Sequence, residues 1–365
     1  MYKLKEGYWS VDTLIFYIVI IILIFILLPP NRKKLKVGMR SYDIGMILAF
    51  LILLFISGFR LTGKDINVGY YVNFLTADSF SSYKDQTVEA GFILFNVIVK
   101  YLFDNYSVFI FLMSLFTLVP VFCFVKRNVD SRDARYALTI YTAVYFISGF
   151  SAARQFMALS LCLLAYDCMK RKRFAGALIW ILLASSFHVT ALVMFIPYFA
   201  TVIRNLGPRS IIFSVLTMFL TMYLLKDSFI SMVGGRYAIY SAFDDISFGT
   251  RWIAYYVPIF YLLIREVRRE KDRYVTRLNV SIVAAGFLFE MLGHIIAILG
   301  RMESISITFI CILPYYIGME PVEWRKKLYK IVLLAYCGLR FWMYLSDHYL
   351  DEGLMPYSNI FFSLN

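Results

Sequence analysis

Residues 13–28 read TLIFYIVIIILIFILL, an almost wholly apolar run that decides the class of this chain. No small-residue cleavage site follows the run, and a second apolar run begins within fifteen residues. A removable signal peptide would carry such a site after its apolar region. We therefore predict that residues 13–28 form a retained transmembrane helix.

Apolar runs of similar length recur along all 365 residues, of which 61% are hydrophobic and only 17% charged. A helix needs about 20 mainly apolar residues to cross a bilayer. The composition therefore predicts an all-α, polytopic membrane protein with a single membrane domain over residues 1–365. The five cysteines lie inside apolar runs, without a Cys-x-x-Cys pair or histidines at ligand spacing, which argues against a disulfide framework and a zinc site.

The net charge of +13 is concentrated in short connections between the apolar runs. Six connections hold 25 of the 37 lysines and arginines: 32–40, 126–135, 170–173, 204–209, 265–277 and 325–330. Cytoplasmic loops of membrane proteins carry such an excess, so we place all six inside, against anionic lipid headgroups. This distribution favours a membrane protein over a protein that binds nucleic acid.

This sidedness fixes the path of the chain through the membrane. It gives twelve spans with both termini outside: 13–28, 43–58, 106–125, 136–150, 152–169, 174–187, 188–203, 210–225, 251–267, 278–299, 302–318 and 331–346. The apolar segment 90–103 is not a further span, because the basic connections after it would then lie outside. We predict that it forms an interfacial or re-entrant helix within the outer connection 59–105, and that a second large outer connection covers 226–250.

Seven ionisable residues share the outer side on this path. They are Arg60, Asp65, Glu89, Arg154, His188, Arg236 and Arg301. A charged side chain at the centre of a bilayer costs about 2.5–3.5 kcal/mol on insertion scales. Several such residues on one side therefore indicate a functional site there.

Two acidic residues and one arginine lie within the first outer connection. Arg60 follows the second span, and its guanidinium fork matches phosphate oxygens, with Asp65 placed to hold the fork or bind a hydroxyl. A span-end arginine that reaches the lipid headgroups is the alternative for Arg60. Glu89 opens the interfacial helix and is either a general base or a helix cap.

The connections between later spans add a cation and an imidazole. Arg154 lies in the first turn of a helix, where a cation opposes the helix dipole, which favours an anionic ligand over a purely structural role. His188 lies at a tight outer turn, as a proton acceptor or as a satisfied helix-end histidine. Arg236 and Arg301 are outer cations beside glycines. Glu290 and His294 share a helix face, either as cavity residues or as a structural hydrogen-bonded pair.

Outer tyrosines are candidates for binding sugar, because aromatic faces pack against the C–H face of a sugar ring. The candidates are Tyr70, Tyr71, Tyr237 and Tyr240. An aromatic belt at the membrane interface is the alternative explanation for each of them.

Several of these residues form an ordered series that resembles a known family. The series is Arg60-x4-Asp65 with Tyr70 and Tyr71, Glu89-Ala-Gly-Phe92, Arg154-Gln155-x2-Ala158, Ser186-Phe-His188-x2-Ala191 and Arg236-Tyr237-x2-Tyr240. In this order the chain resembles the EpsG-like branch of the Wzy-type bacterial polysaccharide polymerases. The resemblance implies a fold similar to the multi-span GT-C-type glycosyltransferases, in the bacterial cytoplasmic membrane. It also implies assembly of surface polysaccharide from undecaprenyl-diphosphate-linked repeat units.

The residues and the resemblance together predict glycosyl transfer at the outer membrane surface between two lipid-linked oligosaccharides. Arg60, Arg154, Arg301 and Arg236 would stabilise the departing diphosphate, and Glu89 or His188 would take the proton of the acceptor hydroxyl while Asp65 orients the sugars. The chain has no Asp-x-Asp motif or histidine cluster, so we expect neither a metal nor another cofactor. Further expected partners are membrane lipids, a chain-length regulator and a flippase.

Two other classes also fit many spans with outer charges. A transporter or flippase of lipid-linked sugars would share the outer arginines and aromatic residues, although transporters usually show repeated halves and ion sites near the midplane. A membrane O-acyltransferase that modifies surface glycan would also use an outer histidine and arginine.

Overall fold

The structure is a computed structural model that describes residues 8–30, 34–37, 40–67, 69–78, 88–203, 273–293 and 297–364, with scattered positions between 210 and 262. Nearly all of these residues are helical, as predicted. One basic connection departs from the all-α prediction, because β1 (Lys34–Val37) and β2 (Arg40–Asp43) pair antiparallel, with Lys34 opposite Asp43. Asp43 then caps the next helix by accepting a hydrogen bond of 3.1 Å from the Met46 N–H.

The first half of the chain is mainly helical, and two short helices occur in the connection 59–105 in addition to the one predicted at 90–103. In chain order the helices are α1 (Val11–Leu27), α2 (Ile44–Gly58), α3 (Lys64–Asn67), α4 (Gly69–Leu75), α5 (Ala90–Phe103), α6 (Tyr106–Asn128), α7 (Ala134–Ile140), α8 (Ala153–Lys170), α9 (Phe174–Phe187) and α10 (Phe195–Val202). A π-helical segment (Tyr141–Phe146) and a 3-10 turn (Ser148–Phe150) extend α7. A 3-10 segment (Val189–Met194) precedes α10.

The described part of the second half adds three longer helices. They are Arg273–Gly293, Phe309–Gly318 and Glu323–His348, with a short helix Ala297–Gly300 and a 3-10 segment Arg301–Thr308 between the first two. The last helix begins eight residues before the predicted start at 331, because the basic stretch 325–330 is helical and not a loop. The predicted spans 210–225 and 251–267 lie largely outside the described residues.

Three helices among the described residues are long and apolar enough to cross a membrane: Tyr106–Asn128, Tyr274–Gly293 and Glu323–His348. Shorter apolar helices accompany them at Val11–Leu27, Ile44–Gly58, Ala90–Phe103, Phe174–Phe187 and Val189–Val202. Side chains such as Ile26 and Ile331 are 64% exposed on these helices, which suits contact with lipid and not with water. The chain is therefore a helical membrane protein, and the number of crossings stays a prediction.

Local irregularities occur where the sequence predicts continuous spans. The seventh predicted span starts as a 3-10 segment, and Pro197 explains the change, because a proline lacks an N–H and its ring clashes with the carbonyl four residues earlier. The fourth predicted span contains the π-helical segment. Such segments are rare and concentrate at functional sites.

The chain folds into two compact units. Unit 1 comprises Met1–Leu161, Leu183–Val189 and Phe309–Asn365, and unit 2 comprises Cys162–Leu182 and Thr190–Thr308. In unit 1, α2 packs on α6, α1 packs on α7, and the helix Glu323–His348 packs on the π-helical segment. In unit 2, the helix Arg273–Gly293 packs on α10 and on the 3-10 segment Arg301–Thr308. A single membrane domain over residues 1–365 stays a prediction.

Candidate active site

The loop after α2 is held by a distant part of unit 1, residues 350–364. Backbone hydrogen bonds join the two from the Leu61 N–H to the Ser358 carbonyl (2.8 Å) and from the Gly63 N–H to the Gly353 carbonyl (3.0 Å). A further bond runs from the Ile360 N–H to the Phe59 carbonyl (3.0 Å). This pairing fixes the direction in which the loop presents Arg60 and Asp65.

Gly63 is required where this loop meets the start of α8. Its φ is +117°, a conformation that residues with a side chain rarely adopt, and a Cβ at this position would lie 2.1 Å from the Phe150 carbonyl oxygen. The sequence Gly58 to Asp65 therefore folds as a tight loop because glycine allows the backbones to touch. Arg60 and Asp65 lie on either side of this contact.

Arg60 is 2% exposed and lies inside unit 1. Its Nη1 donates hydrogen bonds to the Ser57 carbonyl and to the Ser114 hydroxyl (3.0 Å), and its guanidinium stacks over the Phe150 ring at 5.0 Å. Its buried Nε has no hydrogen-bond partner among the described residues. Burial lowers the pKa of Arg60 to about 10, so the side chain remains a cation at neutral pH.

A small cavity of about 20 Å³ lies beside Arg60, with Ser57, Ser114 and Phe150 in its lining. Such a volume holds one water molecule and not a diphosphate. The alternative of a span-end arginine that reaches the headgroups does not match the burial of Arg60. A cation buried in this way acts on a nearby anion through its electrostatic field and not by direct contact.

Asp65, Tyr70 and Arg154 form a hydrogen-bonded chain. The Tyr70 hydroxyl donates to Asp65 Oδ2 (3.0 Å) and accepts from the backbone N–H of Arg154 (3.2 Å). Tyr70 is buried and its ring packs at 5.1 Å from the ring of Phe92. Burial, together with the neighbouring Asp65, raises the pKa of Tyr70 well above its ordinary value, which keeps the hydroxyl protonated as a donor.

Glu89 and Arg154 form an ion pair at the junction of α5 and α8. Arg154 Nη1 lies 2.9 Å from Glu89 Oε2, and the two side chains are 22% and 21% exposed. Glu89 Oε1 accepts a hydrogen bond of 3.0 Å from the Val189 N–H. Glu89 occupies the N-cap position of α5 but makes no side-chain cap, so its carboxylate joins three elements instead of capping one.

This ion pair explains why α8 tolerates a cation in its first turn. Glu89 supplies the negative charge that offsets the mismatch between Arg154 and the helix dipole. The guanidinium of Arg154 also lies 5.6 Å from the centre of the Phe92 ring, and its buried Nε has no hydrogen-bond partner among the described residues. Arg154 therefore keeps an N–H donor beyond those used by Glu89.

The motifs around Glu89 and His188 meet because glycine allows a close approach. A Cβ on Gly91 would lie 2.3 Å from the Ser186 hydroxyl and 2.7 Å from the Ser186 carbonyl oxygen. Two residues further on, His188 is 9% exposed and closes the last turn of α9 through its backbone N–H, which donates to the Ala184 carbonyl (3.1 Å). The contact between these motifs brings His188 into the same region as Glu89.

The remaining predicted residues divide into three groups. Tyr71 is half-buried in unit 1, with its ring edge-on to Tyr106 at 5.1 Å. Arg301 and Glu290 belong to unit 2, where the neighbouring Glu303 accepts a hydrogen bond of 2.9 Å from Tyr256. Arg236, Tyr237, Tyr240 and His294 lie outside the described residues.

Sequence reasoning missed the polar residues that come from distant segments. Glu352 accepts hydrogen bonds from the Ser151 and Tyr344 hydroxyls, and its backbone carbonyl accepts one of 2.9 Å from the Lys64 N–H. Ser114 holds Arg60 from the middle of α6. Neither residue belongs to a local motif, so only the fold brings them to the site.

Unit 1 therefore gathers two arginines, three carboxylates and a histidine around the starts of α5 and α8. Among the residues that the structure describes, no group of three or more His, Cys, Asp or Glu side chains is arranged to hold a metal ion. Fixed cations beside carboxylates suit a reaction that expels an anionic leaving group and removes a proton from a nucleophile. The fold and this cluster define a helical membrane protein with a polar site built from the ends of its helices.

The family of the chain follows from the comparisons with known proteins. The model of the EpsG family matches residues 43–359, so the chain belongs to the EpsG family. No curated protein sequence and no solved structure matches the chain. Membership of this family suggests a polysaccharide-polymerase-like role at a membrane.

Proposed function

We propose that the chain is a polysaccharide polymerase that transfers a glycan from a lipid diphosphate to a lipid-linked oligosaccharide acceptor. The observation that carries the proposal is the Glu89–Arg154 pair, a cation and a carboxylate 2.9 Å apart in a chain of the EpsG family. The proposed donor and acceptor are undecaprenyl-diphosphate-linked oligosaccharides. In this proposal the chain has twelve crossings and a GT-C-like fold, and its site faces the outside of the bacterial cytoplasmic membrane.

The reaction breaks the bond between the anomeric carbon of the donor and a diphosphate oxygen, on which negative charge develops. A fixed cation lowers the energy of that charge without a metal ion. Arg154 suits direct contact, because its side chain is 22% exposed. Arg60 acts from its buried position through its field, and roles for Arg301 and Arg236 in binding a diphosphate stay predictions.

The acceptor hydroxyl needs a carboxylate or an imidazole as its proton acceptor, and the sequence offers Glu89 and His188 as candidates. Asp65 orients the acceptor, because Tyr70 fixes one of its carboxylate oxygens. Burial of the Tyr70 ring leaves Tyr71, Tyr237 and Tyr240 as the better candidates for stacking on sugar. A chain-length regulator and a flippase are the expected protein partners.

The experiment is the substitution Arg154→Ala in the native host, followed by sizing of the surface glycans and the lipid-linked intermediates. Arg132→Ala is the matched control, because Arg132 is an exposed arginine on the connection before α7. Immunoblots of membranes check that the variants reach equal abundance. We expect single repeat units outside cells with Arg154→Ala and wild-type polymer with Arg132→Ala.

Other outcomes would point to other classes. Intermediates trapped on the cytosolic side would indicate a flippase, and full-length polymer that lacks acyl groups would indicate an O-acyltransferase. Wild-type polymer in Arg154→Ala cells would contradict the assignment of this site.

A further inference from the structure

Glu352 is a carboxylate that the fold delivers to the candidate site from the turn after the helix Glu323–His348. The hydroxyls of Ser151 and Tyr344 both donate to the same oxygen, Oε2. The backbone carbonyl of Glu352 accepts the Lys64 N–H at 2.9 Å, next to Asp65. Both its side chain and its main chain are therefore fixed.

Contacts connect Glu352 to Arg154 in a closed ring. Ser151 holds Glu352 and lies three residues before Arg154, whose backbone N–H donates to the Tyr70 hydroxyl. Tyr70 donates to Asp65, which follows Lys64, the donor to the Glu352 carbonyl. Glu352 therefore belongs to the same cluster as the cation proposed to meet the diphosphate.

The second carboxylate oxygen of Glu352 has a different environment. Within the described part of the chain, no lysine or arginine forms an ion pair with Glu352, and no donor binds Oε1. The side chain is half-buried. By contrast, Arg154 and the Val189 N–H hold the two oxygens of Glu89, and a proton on Glu89 would weaken its ion pair with Arg154.

A structural link between α8 and the last helix does not require a carboxylate here. Two hydroxyl donors are satisfied by any side-chain oxygen that accepts hydrogen bonds, and an amide would serve without a charge to desolvate. Keeping a half-buried carboxylate without a cationic partner costs free energy. The free oxygen gives this arrangement a chemical use, because a fixed carboxylate oxygen accepts a proton from a hydroxyl placed beside it.

We propose that Glu352 is the group that takes the proton of the acceptor hydroxyl, an inference that rests on the proposed polymerase function. The acceptor O–H bond breaks and its proton passes to Oε1 of Glu352. The freed oxygen bonds to the anomeric carbon of the donor while the bond from that carbon to the diphosphate oxygen breaks. The electron pair leaves with the lipid diphosphate, beside Arg154. Glu89 then acts as the partner that positions Arg154.

The test uses purified full-length protein in lipid nanodiscs with a lipid-diphosphate-linked oligosaccharide as donor and acceptor. Glu352→Gln keeps an oxygen for Ser151 and Tyr344 but removes the proton acceptor. General base catalysis contributes about 10²–10⁴-fold to a rate, so we expect kcat for polymer formation to fall at least about 100-fold. The KM for the donor and the unfolding temperature should match the wild type. Asp351→Asn removes the neighbouring exposed carboxylate and should leave the rate unchanged.

The outcomes separate this inference from the proposed function. A Glu352→Gln rate within threefold of an active wild type would overturn the role of Glu352 and leave the polymerase proposal standing. A wild type that forms no polymer would overturn both. If Glu352→Gln does not fold, the rate of Glu352→Ala is measured with and without sodium formate. Formate can replace the missing carboxylate of the side chain. We expect formate to raise the Glu352→Ala rate at least tenfold, and an unchanged rate would overturn the proposal.

Discussion

Replacing Gly63 with alanine should distort the candidate site more than any other single methyl group added to its loop. The new Cβ would lie 2.1 Å from the Phe150 carbonyl oxygen and 2.8 Å from its carbon, whereas ordinary contacts begin at 3.4 Å. The two backbones must therefore separate by about 1.3 Å, the difference between 3.4 Å and the 2.1 Å from the new Cβ to the Phe150 oxygen. Overpacking of this kind costs about 1–3 kcal/mol.

The positive φ of Gly63 adds a second cost. An alanine at +117° is strained by about 1–3 kcal/mol, so the sum for Gly63→Ala is about 2–6 kcal/mol. The matched control is Gly69→Ala, because Gly69 lies in the helix α4 with no atom within 4 Å of its Cβ position. Gly69 is the first residue of α4 and its Cβ position is open, so the added methyl group should not destabilise the protein.

The first assay is thermal unfolding of both variants in detergent at one scan rate, monitored by tryptophan fluorescence. The second assay is polymer synthesis in cells. We expect Gly63→Ala to unfold several degrees below the wild type and to make less polymer, since its displaced loop carries Arg60 and Asp65. Gly69→Ala should unfold at or above the wild-type temperature. If Gly63→Ala matched the wild type in both measurements, the close contact with Phe150 would not exist.

Three further predictions concern the same cluster. In a double-mutant cycle of Glu89→Gln and Arg154→Gln, unfolding in detergent should give a coupling free energy of about 1–3 kcal/mol between the two residues. This range lies between the values for exposed and for buried ion pairs. Additive effects of the two substitutions would contradict the ion pair. Gly91→Ala should lower the unfolding temperature. Adding Ser186→Gly to that variant should restore part of the loss, because it removes the hydroxyl that lies 2.3 Å from the new Cβ. A double variant that unfolds at the same temperature as Gly91→Ala would contradict this contact. Because burial lowers the pKa of Arg60 to about 10, its charge is present below that pH and lost above it, so donor affinity should stay level from about pH 7 to 9 and weaken near pH 10. Equal affinity at about pH 11 would exclude a role for this cation.

Helices with long apolar runs can be predicted from the sequence because burial of apolar side chains in lipid depends on local composition. The predicted spans at 13–28 and 43–58 correspond to α1 (Val11–Leu27) and α2 (Ile44–Gly58) within two residues at each end. The strand pair at Lys34–Asp43 escapes prediction, because backbone pairing of two short polar segments leaves no apolar pattern. The helical stretch 325–330 resembles a loop in the sequence because its basic residues hide its continuity with the apolar helix after it.

The candidate site can be predicted only where its residues belong to compact motifs. Gly91 beside Glu89, and Ser186 beside His188, mark two segments that the fold brings into contact, although no local pattern indicates that they touch. The ion pair between Glu89 and Arg154 depends on the fold bringing the starts of α5 and α8 together. Glu352 has no motif around it, because two of its donors, Ser151 and Lys64, come from segments that are distant in the sequence.

The pairing of residues 59–63 with residues 353–360 has a consequence for biosynthesis. These partners are separated by nearly 300 positions, and loops of that length close late, after the local helices have formed. During translation the segment that carries Arg60 enters the membrane long before its partner leaves the ribosome. The nascent protein therefore carries an incomplete candidate site through most of its synthesis, and the loop around Arg60 gains its backbone partners only after residues 353–360 have been made.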